Sequence, residues 1–173
     1  MLSLSDNEFA VINYLTRNFS SRDTIRSIAK KLSFSPAGVY NILKKLEKQN
    51  IVTGERFGTG LFYKLNLNNK VCQYLALTTL VGFYDYTLDI SKFTEQAKIA
   101  IYDKKTVLMV VENPEQITDS SIGDAKLMAI THEEFTEDLK DVNSEVSKFV
   151  KTGTVVSGES ELLEIIKRFV DRF

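Results

Sequence analysis

The chain has 173 residues, 26 % charged and 43 % hydrophobic, which suffices for one ordinary domain or two small ones and excludes disordered, collagenous and fibrous classes. Its one cysteine, Cys72, cannot form an internal disulfide, and together with one histidine it cannot complete a zinc site, so a reducing, cytoplasmic compartment is expected. The net charge of −1 conceals a division: residues 1–70 hold eleven Lys+Arg against five acids, a net +6, and residues 71–173 hold eleven against eighteen, a net −7.

One half is therefore suited to a polyanion and the other is repelled by it. No basic-then-apolar leader is read at the start. The most membrane-like stretch, residues 72–84, is interrupted by Gln73, Thr78 and Thr79 and ended by Asp85, so no membrane partner is expected.

The chain opens with Ser5 as a helix cap and Glu8 three residues later, in capping-box spacing, followed by an apolar face of Phe9, Ile12 and Leu15 widened by Val11 and Tyr14. A second helix is expected over residues 22–32, with Ile25, Ile28, Ala29 and Leu32 on one side and a tight turn at Ser33-Phe34. A third starts with Ser35 as N-cap and Pro36 at the first helical position, and buries Val39, Ile42, Leu43 and Leu46. Asn50 ends it in the left-handed conformation that asparagine tolerates. Residues 51–56 and 61–65 then read as two strands flanking Phe57-Gly58-Thr59-Gly60.

Residues 69–89 are helix-compatible and apolar, with Val71, Tyr74, Leu75, Leu77, Val81, Phe83 and Tyr84, and form either a connecting helix or a dimer seam. Strands are expected at 98–102 and 106–112, joined by Asp103-Lys104-Lys105, and at 126–130. Thr131-His132-Glu133-Glu134 is a capping box that opens one amphipathic helix with Phe135, Leu139, Val142, Val146, Phe149 and Val150 inward and the acids Glu133, Glu134, Glu137, Asp138, Asp141 and Glu145 outward. Gly153 stops that helix. A strand at 154–157 and a helix at 159–172 close the chain, giving an α+β fold.

The run from Asp23 to Val52 and the Gly58/Gly60 hairpin resemble the winged helix-turn-helix of prokaryotic transcription regulators over about residues 1–67. The exposed side of the third helix agrees with what that resemblance implies. Asn41 and Tyr40 fall where base edges would lie, since asparagine makes a paired contact with adenine, and Ala37 and Gly38 allow close approach behind the Ser35 cap. Lys44, Lys45 and Lys48 are assigned to phosphates. Arg56 and Lys64 flank the Gly58-Thr59 tip of the wing, and Arg22 and Arg26 are assigned to phosphate at the second helix.

In the other half, residues 130–135 and the run from Lys151 to Glu159 resemble the tail of archaeal-type minimal nucleotidyltransferase domains. In that family a glycine-serine turn and paired aspartates hold metal and nucleotide phosphates. Here residues 101–112 carry only Asp103 at a hairpin tip, which implies a domain without catalysis. His132, the only imidazole, is expected on the surface, Cys72 in the core, and no cofactor, metal or catalytic set is assigned.

The sequence thus reads as a DNA-binding transcription regulator with a winged helix at 1–68, a linking or dimerising helix at 69–90 and a small α/β module at 91–173. Double-stranded DNA and a second copy of the chain are the expected partners. Two alternatives stand beside it: an enzyme using Asp103, Glu112 and Asp119 or Asp124, and a winged helix that binds protein.

Overall fold

The computed structural model describes residues 4–81, 95–118, 121–122 and 124–172. The architecture is α+β, and the chain divides into two compact units, residues 1–79 with 166–173 and residues 80–165. The expected parts, 1–68, 69–90 and 91–173, are divided differently here: residues 69–79 and the end of the last helix both belong to the first unit. Among the described residues no helix is long and apolar enough to cross a membrane.

In the first unit, α1 (Asp6–Arg17), α2 (Ile25–Leu32) and α3 (Pro36–Lys48) precede an antiparallel hairpin of β1 (Val52–Phe57) and β2 (Gly60–Leu65). Each helix start follows from a side-chain cap. Ser5 and Glu8 complete the expected capping box, and the Ser35 hydroxyl accepts from the Gly38 amide at 3.0 Å. Helix α2 starts later than expected because Thr24 is its cap, accepting from the Ser27 amide, which leaves Arg22 outside the helix. Ser33, at φ 56°, and Asn50, at φ 59°, make the left-handed turns that end α2 and follow α3.

Val11, Ile12, Ile28, Val39, Leu43 and Leu46 are fully buried where these helices meet, each burial contributing roughly 2 kcal/mol. An isolated bridge between Thr24 and Phe62 ties the segment before α2 to the hairpin. Helix α4 (Lys70–Val81) buries Cys72 and Ala76 and exposes Val71, Tyr74 and Val81. The remainder of the helix expected at 69–89, with Phe83 and Tyr84, lies outside the described residues.

The second unit contains a five-stranded mixed sheet in the order β5-β6-β4-β3-β7, where β3 is Ile99–Asp103, β4 Thr106–Val111, β5 Ser121–Ile122, β6 Ala125–Thr131 and β7 Thr154–Ser157. Strand β4 pairs parallel with β6 and antiparallel with β3. Its residues from Val107 to Val111 are all buried, the pattern of a strand covered on both faces. Lys104, at φ 57°, makes the expected turn between β3 and β4.

The single helix expected from Thr131 to Val150 is two helices, α5 (His132–Asp138) and α6 (Glu145–Thr152). The interruption has a local cause. Asp141 accepts from the Asn143 amide at 2.9 Å, and Ser144 both donates to the Asp138 carbonyl and caps α6 by accepting from the Ser147 amide. Val142, expected inward, is consequently exposed. Helix α7 (Glu159–Asp171) ends the described chain.

Candidate nucleic-acid interface

Once its buried stripe is subtracted, α3 presents Ala37, Tyr40, Asn41, Lys45 and Lys48 to solvent, with Gly38 and Lys44 half-buried. Tyr40 is 43 % exposed, a large value for an aromatic side chain on a short helix. The exposed strip is one-sided because Val39, Leu43 and Leu46 fix the rotation of the helix.

Side-chain ties join α3 to its neighbours and brace the hairpin beside it. The Glu47 carboxylate accepts from the Lys44 ammonium at 2.8 Å and from the Gly54 amide at 3.2 Å, joining α3 to β1. Lys45 lies 2.6 Å from the carboxylate of Glu8, whose side chain is 4 % exposed, joining α3 to α1. Lys64 pairs with Glu55 at 2.6 Å across the hairpin and donates to the Val170 carbonyl at 3.3 Å. The Arg22 guanidinium lies 5.0 Å from the centre of the Phe57 ring, a cation–π contact that places the α2 approach against the tip of the hairpin.

These ties give several of the residues assigned to phosphate a second task. Lys44, Lys45 and Lys64 each face a carboxylate, and Arg22 faces an aromatic ring, so a phosphate at any of them competes with a contact already made. Arg26, Lys48 and Arg56 are exposed without such a contact among the described residues. Gly58 has φ +60° with open space around it and leaves Thr59 and Arg56 at an exposed tip. Sequence reasoning assigned no role to Phe57, which is 70 % exposed; an aromatic residue beside an arginine at a glycine turn was the signal.

A half-buried clamp supports the approach to α2. Asp23 accepts from Tyr14, from Ser27 at 2.6 Å, from Ser21 at 2.9 Å and from Lys31 at 3.0 Å. Burial pushes its carboxyl upward, but these donors outweigh burial and bring it from 3.8 down to about 2. Burial and the Asp23 bond push the Tyr14 phenol up to about 12.

A depressed folded-state value means that the stabilisation is complete above the unfolded value and is lost as pH falls through the folded one. The clamp should therefore contribute about 2 kcal/mol above pH 4 and lose it between about pH 4 and pH 2. Asp23→Asn should remove that acid-limb dependence of the first unit. An unchanged slope between pH 4 and 2, read by circular dichroism, would count against the clamp.

In the second unit, Asp103 lies opposite Thr106 and accepts from the Thr152 hydroxyl at 2.8 Å, and Glu112 follows the far end of β4 and pairs with Lys98 at 3.1 Å. Six residues of strand separate these positions by roughly 20 Å, so the two carboxylates do not converge. Asp119 lies outside the described residues, and Asp124 is exposed in a turn. Among the described residues no three His, Cys, Asp or Glu side chains cluster as metal ligands.

His132 is half-buried at the first position of α5 rather than on the open surface, and its Nδ1 has no hydrogen-bond partner among the described residues. Burial pushes the Cys72 thiol up to about 12, which removes it as a nucleophile near neutral pH. No protein-family model, curated protein or solved structure matches the chain.

Proposed function

We propose that the first unit is a winged-helix module that binds duplex DNA, and that the protein is a transcription regulator. The observation that carries this reading is the single exposed strip of α3, where Asn41, Tyr40 and Lys48 lie together on a helix whose opposite side buries Val39, Leu43 and Leu46, with Ile42, expected in that stripe, half-buried. A helix of this kind fits a major groove, Asn41 offers a paired contact to adenine, and Lys48, Arg26 and Arg56 offer positive charge to backbone phosphates. The +6 charge of residues 1–70 supplies the sequence-independent attraction. One such module buries little surface, so a homodimer on paired half-sites completes the reading.

The test is fluorescence anisotropy with duplex from the protein's own promoter region and with scrambled duplex, across a salt series. The expected slope of log affinity against log salt is about −4, four or five phosphates being neutralised. Asn41→Ala should lower affinity for the preferred duplex by about tenfold to a hundredfold and leave scrambled duplex unaffected. Lys48→Ala should weaken both equally and flatten the slope by about 1. An absence of duplex binding at low salt would overturn this reading in favour of a protein-binding module.

A further inference from the structure

Strand β1 leaves the core of the first unit as it runs: Val52 is buried, Thr53 and Gly54 are half-buried, and Glu55, Arg56 and Phe57 are exposed. The turn beyond it is open, since a Cβ on Gly58 would meet nothing within 4 Å. Phe57 stands at the end of this finger with 70 % of its surface exposed, more than any other large apolar side chain among the described residues. The finger and α3 belong to the same unit, so a ligand of α3 is within the setting of the hairpin as well.

A single exposed apolar residue needs no account by itself. What distinguishes Phe57 is its surroundings. The Arg22 guanidinium lies 5.0 Å from the ring centre. The register pairs Phe57 with Gly60 and Arg56 with Leu61, so the side chains alternate and Arg56 is directed to the opposite face of the hairpin. Gly60 adds no side chain beside the ring, which leaves the ring edge open. The tip thus carries a phenyl ring with a cation on either side of it, and a duplex groove has the matching order of phosphate, bases, phosphate.

We propose that Phe57 is a wedge that enters the minor groove, opens one base step and bends the duplex. The inference rests on the DNA-binding reading and adds to it a contact that carries no charge. A phenyl ring has no donor or acceptor, so its gain from DNA is stacking and the exclusion of water rather than a base-edge bond. An apolar side chain inserted between base pairs unstacks them and kinks the duplex by about 20–90°. Unstacking is least costly at pyrimidine–purine steps, so the wedge confers a preference for TA or CA where the protein makes no hydrogen bond to a base.

The experiment uses the full chain and duplex from its own promoter region, labelled at both ends for energy transfer and carrying 2-aminopurine at pyrimidine–purine steps in turn. Binding should raise the energy transfer and raise 2-aminopurine fluorescence at one step. Phe57→Ala should abolish both signals and weaken binding about tenfold. Its salt slope and melting temperature should equal those of the parent, because no phosphate contact is lost and the ring is already exposed. Phe57→Leu should keep most of both signals, and Arg56→Ala should flatten the salt slope by about 1 while the fluorescence persists. Replacing the opened step by AA should weaken the parent and leave Phe57→Ala indifferent. Duplex bound with neither signal, or with both signals retained in Phe57→Ala, would overturn the wedge and leave the DNA-binding reading standing. An absence of duplex binding at low salt would remove both.

Discussion

Gly158→Ala should destabilise the second unit by about 4 kcal/mol, a large fraction of the stability of an ordinary domain. Two independent costs combine. Gly158 has φ +75°, a conformation that costs an L-residue roughly 1–2 kcal/mol. A Cβ there would also lie 1.9 Å from the Lys98 carbonyl oxygen and 2.8 Å from the Ile99 Cα, and these are backbone atoms of the segment entering β3. No rotamer change relieves that overlap, so the sheet must shift, at roughly 1–3 kcal/mol.

The measurement is chemical denaturation of the full chain followed by hydrogen exchange in β3 and β7. Loss of protection in these strands, with α1 to α3 still protected, is the expected outcome. A variant as stable as the parent would mean that the turn before α7 accommodates a side chain.

Lys45→Ala should cost the first unit about 3 kcal/mol, far more than the loss of an ordinary surface lysine. Its partner Glu8 is 97 % buried and already accepts from the Ser5 amide at 2.8 Å, so removing Lys45 leaves a desolvated carboxylate held by a neutral capping box. Burial pushes Glu8 upward, and hydrogen bonds from Lys45 and Ser5 bring it below its ordinary value. Lys45→Ala removes the leading contact that lowers the Glu8 carboxyl, so in the variant that carboxyl should titrate higher than in the parent, with the Ser5 bonds still lowering it.

Glu8→Gln combined with Lys45→Ala should recover most of the loss, and a double-mutant cycle reads the coupling. A cycle with no coupling would mean that the pair is an ordinary solvent-screened contact. The same double variant separates the two tasks of Lys45, since restored stability with weakened duplex binding assigns it to phosphate as well as to Glu8.

Elements were legible in the sequence where their causes lie within a few residues. Ser35-Pro36 announces α3, Thr131 to Glu134 announces α5, and Gly58 with its flanking alternation announces the hairpin. The break at residues 139–144 was hidden because Leu139, Val142 and Val146 keep helical spacing across a turn that Asp141, Asn143 and Ser144 stabilise through side-chain bonds.

Long-range partnerships carry no local signature. Glu8 with Lys45, and Tyr14 with Asp23 and Lys31, come together only when the helices pack, and so the lysines of α3 read uniformly as solvent-facing cations. The exposed strip itself was legible, because it is what remains when a 3.6-residue apolar stripe is removed.

The end of α7 adds a consequence for the order in which the protein is made. Phe169 stacks edge-on against Phe19 at 5.5 Å, and the Val170 carbonyl accepts from Lys64, a partner 106 residues earlier in the chain. A ribosome therefore releases α1 to α3 and the hairpin long before the residues that finish their unit, and the whole of the second unit is synthesised in between. Nascent chains would hold a basic module with an unstacked Phe19 until the last residues of α7 emerge.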